Sequence, residues 1–187
     1  SEPPTGSVLA LVASIREPIF DNVTRLPCHI HAVPDTYCML PWNPTGGMTL
    51  KWFKDTFAPD LTRQAQEEGK DVYDLLSVPA AGVKPGSDGL IMLPHLEGAG
   101  FPDYAPGARG VFFGLTLSHG KPHLTRAILE AIAYLIRSDV ETLQGLGIRP
   151  SEVRVLGGGS KSSLWNQIKA DALGLPIAVP ANRDAAL

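Results

Sequence analysis

The chain has 187 residues, 44% of them hydrophobic and 19% charged. That is enough for one domain with a buried core and the composition of an ordinary globular protein. A net charge of -3 with no basic stripe argues against a nucleic-acid partner, and no apolar run reaches membrane-spanning length, so neither nucleic acid nor membrane is expected to bind. Cys28 and Cys38 form neither a CxxC nor a zinc-type cluster; they read as small buried hydrophobes in a reducing, cytoplasmic setting.

Residues 8–13, 28–31 and 37–40 are strand candidates separated by proline and polar turns, an antiparallel meander. Pro44-Thr45-Gly46-Gly47 then feeds a helix over residues 49–57. Residues 60–69 are polar and read as exposed helix or loop, and Asp71 is placed to cap a short helix through Leu75 and Leu76. Pro85-Gly86-Ser87-Asp88-Gly89 is a turn, Leu90-Ile91-Met92-Leu93 a buried strand, and residues 97–109 a loop rich in Gly and Pro. An apolar strand punctuated by glycine follows over 110–116, then a polar loop, then Pro122 where a first helical turn tolerates its missing N–H. Apolar residues at Leu124, Ala127, Ile128, Ala131, Ile132, Leu135 and Ile136 have the spacing of a helix with one buried face, ending near Gly145 and Gly147. A strand over 153–156, a glycine turn, a helix over 162–173 and a strand over 177–179 complete the chain. Strands alternating with helices in this half predict an α/β sheet with parallel pairs. Ser1-Glu2-Pro3-Pro4-Thr5-Gly6-Ser7 lacks an initiator methionine, and Arg183-Asp184-Ala185-Ala186-Leu187 reads as the opening of a helix without its body. The expectation is a fragment of a longer protein, incomplete at both ends.

Three places invite chemistry. Gly157-Gly158-Gly159-Ser160 lies between a strand and a helix. Glycines there would let backbone N–H groups approach a ligand near a helix N-terminus. Taken alone, such a run reads as a plain tight turn, and Trp165 as core packing. Gly47 opens a helix carrying Thr49 and Lys51, where Thr45 or Thr49 would serve as an ordinary cap. His29 and His31 share one strand face, but with no third ligand evident they read as hydrogen-bonded histidines, and no metal ligand set is assigned.

Residues 110–130 resemble, position by position, the second signature of the FGGY carbohydrate kinases. The fixed positions are Gly110, Phe112, Gly114-Leu115, a gap of seven residues, His123-Leu124 and Ala127-Ile128-Leu129-Glu130. The segment after the glycine turn also keeps the family's order, with Trp165, Ala170-Asp171 and Pro176-Ile177. The resemblance implies a C-terminal ATP-binding domain over 1–187, of α/β, ribonuclease-H-like (actin-like ATPase) type with a mixed sheet flanked by helices. Its parent would transfer the γ-phosphate of ATP, with Mg²⁺, to a ketose or polyol hydroxyl in a xylulose-like substrate. Sugar would be held mostly by an N-terminal domain that also carries the catalytic aspartate, so this chain alone would be inactive. A homodimer is among the expected partners. It also implies that Gly158 and Gly159 wall the adenine side of the nucleotide, that Ser162 contacts the base, that Gly47 passes close to the nucleotide, and that Thr5 lies near the γ-phosphate. Pro4 stands where the family has a glycine before that threonine, and Gly98-Ala99-Gly100 stands where many xylulokinases carry Gly-Glu-Arg. Two other classes are weighed against this. One is a degenerate actin-like module with a regulatory or assembly role and no phosphotransfer. The other is a dinucleotide-binding domain, which would want GxGxxG after its first strand.

Overall fold

The computed structural model describes residues 8–181. The first 40 or so of these form short strands: β1 (Leu9–Ala10), β2 (Ala13–Ile15), β3 (Cys28–Ile30), β4 (Tyr37–Met39) and β5 (Trp42–Asn43). All their pairings are antiparallel, as expected, but the order is β2-β4-β3, with β1 on β5. The central strand is therefore the last of the three. The loop between β2 and β3 explains this. Asp21 accepts hydrogen bonds from the backbone N–H groups of Val23, Thr24 and Leu26 and from the Thr24 hydroxyl, closing the loop on itself. Burial of Asp21 raises its pKa, but these donors outweigh it and hold the carboxyl down at about 2. The loop plugs Leu26 into a small cluster with Met39 and Leu143, and carries β3 around to the far edge of β4.

Three helices follow, α1 (Met48–Phe57), α2 (Pro59–Glu68) and α3 (Val72–Ala81). The polar stretch of residues 60–69 is mostly helix. Pro59 occupies its first turn, Gln64 donates to Glu68 at 2.8 Å, and Gly69 ends it in the left-handed conformation. Asp71 caps α3 by accepting the Tyr73 N–H at 2.8 Å. That helix runs past Pro79, further than the sequence implies, because Leu76 and Ala80 are buried. Burial of this kind overrides local propensity.

The second half contains β6 (Ile91–Leu93), β7 (Val111–Phe113), α4 (Lys121–Gly145), β8 (Val153–Arg154), α5 (Ser163–Leu173) and β9 (Ile177–Ala178). Strands β8 and β9 pair in parallel across α5, as the alternation predicts. Strands β6 and β7 pair antiparallel, with Met92 opposite Phe112, so the strand ahead of the long helix is not part of a parallel unit. Helix α4 is the centre of the domain. Ile128, Leu129 and Ala133 are fully buried, and α1, α3, α5 and β6 pack around it. Leu50, Phe53, Leu76, Leu90, Met92, Trp165 and Ile168 complete this core. Each large side chain so buried contributes roughly 1.5–3 kcal/mol. The outer face of β6 and β7 presents Ile91, Leu93, Val111 and Phe113, all exposed. Among the described residues no helix is long and apolar enough to cross a membrane.

Candidate functional site

The sequence signature around β7 and α4 resolves into packing. Gly114 has φ +87°, and a β-carbon on it would lie 2.5 Å from the Gly89 carbonyl oxygen, so only glycine fits. The partner turn is unusual: Gly86, Ser87, Asp88 and Gly89 all have positive φ, at 86°, 48°, 51° and 90°. Two of these are not glycine, and such backbone persists where surrounding contacts over-determine it. Those contacts come from α4. Glu130 accepts the Gly86 N–H on both carboxylate oxygens, at 3.1 and 3.2 Å, and pairs with buried Arg126 at 2.6 Å. The Ser87 hydroxyl donates to the His123 carbonyl at 2.7 Å. The His123 ring accepts the Gly120 N–H at Nδ1, which leaves its Nε2–H to face Asp88 at 3.3 Å. The polar positions of the signature thus clamp a left-handed turn.

The glycine turn is built differently. Gly157 takes φ +77°, which reverses the chain after β8. Gly158–Lys161 forms a short 3-10 turn, so the glycines precede α5 by one turn and do not open it directly. Gly158 is exposed. Gly159 lies against Trp165, whose ring would stand 2.8 Å from an added β-carbon. Trp165 is in the core, as its sequence context implies, and its indole N–H donates to the Leu129 carbonyl at 3.1 Å. The Ser162 hydroxyl accepts the Trp165 N–H at 3.2 Å and caps α5. That cap engages one lone pair and leaves the hydroxyl proton free to donate.

Gly47 is exposed at the start of α1, and no side chain caps that helix. Thr45 is buried and donates to the Pro94 carbonyl at 2.6 Å, while buried Thr49 finds no partner for its hydroxyl among the described residues. Lys51 pairs along the helix with Asp55 at 2.6 Å. The turns at Gly47 and Gly158 therefore sit ahead of two different helices, α1 and α5, that both pack on α4. Thr5 lies outside the described residues. His31 accepts the Val33 N–H and lies 3.4 Å from the Ser14 hydroxyl, while His29 is exposed. No group of three metal-ligating side chains occurs among the described residues. Two shallow depressions, of about 300 and 360 Å³, are lined by other residues and contain none of these glycines.

Two titratable groups were not legible as site candidates. Burial pushes the Asp139 carboxyl on α4 up to about 7, with the negative charge of Asp103 adding to the shift. Its Oδ2 has no hydrogen-bond partner among the described residues. Burial alone pushes the Lys169 ammonium on α5 down to about 8. Both stand on inward faces whose apolar period, Ile132-Ile136-Val140 and Trp165-Ile168, is the signal that marks them.

The sequence pattern of the FGGY family of carbohydrate kinases, C-terminal domain, matches residues 5–187. The chain belongs to the FGGY family of carbohydrate kinases. It is 34% identical over 183 residues to the gluconokinase of Bacillus subtilis (strain 168), covering 96% of this chain and 35% of that protein. It is 39% identical over 136 residues to the glycerol kinase of Aromatoleum aromaticum, covering 72% of this chain and 25% of that protein. The crystal structure of xylulose kinase from Rhodospirillum rubrum superposes with a TM-score of 0.81 at 32% identity, over 94% of this chain and 33% of that one. The FGGY chain thus spans about a third of the length of relatives it matches. Its fold is the α/β, actin-like ATPase fold of those kinases, as the signature implies.

Proposed function

We propose that the full-length protein containing this chain transfers the γ-phosphate of ATP to a hydroxyl of a sugar or polyol, and that this chain supplies the wall behind the nucleotide. The observation that carries the reading is the glycine turn. In an FGGY domain, Gly158 stands exposed between Gly157, with its positive φ, and Gly159, which lies against buried Trp165. Its exposed backbone is a flat surface on which a nucleoside would lie, with the Ser162 hydroxyl one turn away to donate to it. Gly159 is then glycine because of Trp165, and Gly158 because of the ligand. Gly47 would approach the same nucleotide from the α1 side. Thr5 would face the γ-phosphate. ATP brings Mg²⁺ with it, which neutralises charge on the phosphates when bound.

The hydroxyl-bearing substrate, the catalytic aspartate and most sugar contacts belong to the remainder of the parent, so the isolated chain is expected to be inactive. We place the protein in the cytoplasm, in keeping with the free thiols of Cys28 and Cys38. Xylulose itself is not favoured by the loop before β7. A β-carbon on Gly100 would lie within bonding range of the Trp42 carbonyl oxygen, and the Gly100 N–H donates to Asn43 at 3.1 Å. The arginine of a Gly-Glu-Arg loop has no room on this backbone path. Ketoses, polyols and sugar acids are the substrate panel, measured by coupled ADP release with the full-length protein. Turnover of at least one is expected, and folded protein that turns over none of them would overturn the assignment. Gly158→Val should raise the ATP KM and leave the sugar KM and melting temperature nearly unchanged; the converse pattern would reduce the turn to a structural one.

A further inference from the structure

A lysine is rarely buried unless an acid pairs with it. Lys169 is 5% exposed, and among the described residues no carboxylate lies within ion-pair distance of it. Its ammonium lies 4.4 Å from the centre of the Trp165 ring and 3.4 Å from Asn166 Oδ1. Both neighbours are pieces of the glycine turn's support. The Trp165 ring fixes where Gly159 must lie. Asn166 Nδ2 donates to the Ser160 carbonyl at 2.8 Å, and buried Ser160 donates through its hydroxyl to the Gly157 carbonyl at 2.7 Å. A chain of contacts therefore runs from Lys169 through Asn166 and Ser160 to Gly157.

The direction of that chain follows from donor chemistry. An ammonium only donates, so Asn166 must turn its oxygen toward Lys169 and its NH₂ toward Ser160. Without the ammonium, Asn166 Oδ1 loses its donor, and the amide is held only at its other end, by its bond to the Ser160 carbonyl. The ammonium also attracts the face of the Trp165 indole. A methionine of similar length would fill the same space without the cost of burying a charge, so stability alone does not account for a lysine here. We propose that Lys169 is a positioning residue, which orients the Asn166 amide and the Trp165 ring and so holds the glycine turn in the shape that meets the nucleotide. This rests on the reading of Gly158 and Gly159 as the nucleotide wall.

The test uses the full-length kinase and the variants Lys169→Met, Asn166→Ala, the double variant and Gly158→Val. Lys169→Met should raise the ATP KM about 3–10-fold, the scale of one hydrogen bond, leave the sugar KM within about twofold, and keep or raise the melting temperature. In nucleotide-free protein, amide hydrogen exchange of the segment 157–162 should quicken. The double variant should lose less ATP affinity than the two single losses added together, because Lys169 acts in part through that amide. Unchanged exchange and ATP KM in Lys169→Met, while Gly158→Val still weakens ATP, would overturn the role of Lys169 alone. A fully additive double variant, or a fall in melting temperature that accounts for the ATP effect, would do the same. Should Gly158→Val leave ATP untouched, the nucleotide-wall reading fails and this proposal goes with it.

Discussion

The clamp on the left-handed turn and the glycine turn ahead of α5 share one helix yet answer to different demands. In the clamp the polar and tightly packed residues are explained by the chain's own atoms: Gly114 by the Gly89 carbonyl, Glu130 by Gly86 and Arg126, Ser87 by His123. In the glycine turn Gly157 and Gly159 are explained in that way, but exposed Gly158 is not. The region that identifies the family most sharply is therefore architectural, and the region with the weaker motif holds the glycine that the chain's own contacts do not explain. A signature marks what a fold cannot vary, which need not be what touches substrate.

Loss of the clamp should cost most. Glu130→Ala leaves the Arg126 guanidinium buried without its partner and frees the Gly86 N–H, a change of about 3–5 kcal/mol. Chemical denaturation should show that loss; a variant of normal stability with altered ATP KM would erase the distinction between the two regions. Asp139 sharpens the comparison from the α4 side. Its carboxyl titrates near 7 in the fold against 3.8 ordinarily, so the folded protein holds the extra proton between those values. Stability should fall as pH rises from about 4 to 7 and then level off. Asp139→Asn should remove that slope and gain about 1–4 kcal/mol at pH 8, with little change at pH 4. A stability profile of the variant that still follows that of the parent would show that another group is responsible. For Gly158→Val the expected loss is on the order of 1–3 kcal/mol, read in ATP binding and not in melting temperature. The smallest effect belongs to Ser162→Ala. Its hydroxyl caps α5, so about 1 kcal/mol should be lost from stability, with any further loss of ATP affinity measuring the contact to the base. Equal losses with and without nucleotide would leave Ser162 a cap only.

Helix α4 was legible because a long one-faced apolar period admits few alternatives. So were the Asp71 cap and the burial of Trp165. Pairing was less so. The order β2-β4-β3 depends on how the Asp21 loop folds, and the antiparallel match of β6 to β7 joins segments separated by the loop of residues 94–110. Neither leaves a local trace. Of the site, the glycines were visible but their division of labour was not, since φ at Gly157 and the Trp165 ring at Gly159 are properties of three dimensions. Lys169 and Asn166 passed unnoticed because a lysine in a helix reads as solvated until its face is known. The Gly47 turn was visible too, yet its neighbours Thr45 and Thr49 do not cap α1.

The carbonyl of Leu129 receives the indole of Trp165, and the next residue, Glu130, receives Gly86. Successive residues of a helix are separated by about 1.5 Å of rise. The left-handed turn and the support of the glycine turn are thus surveyed from a single benchmark on a stiff rod. Both turns are tied to adjacent residues of one helix, so within this chain any displacement of α4 would carry the two together.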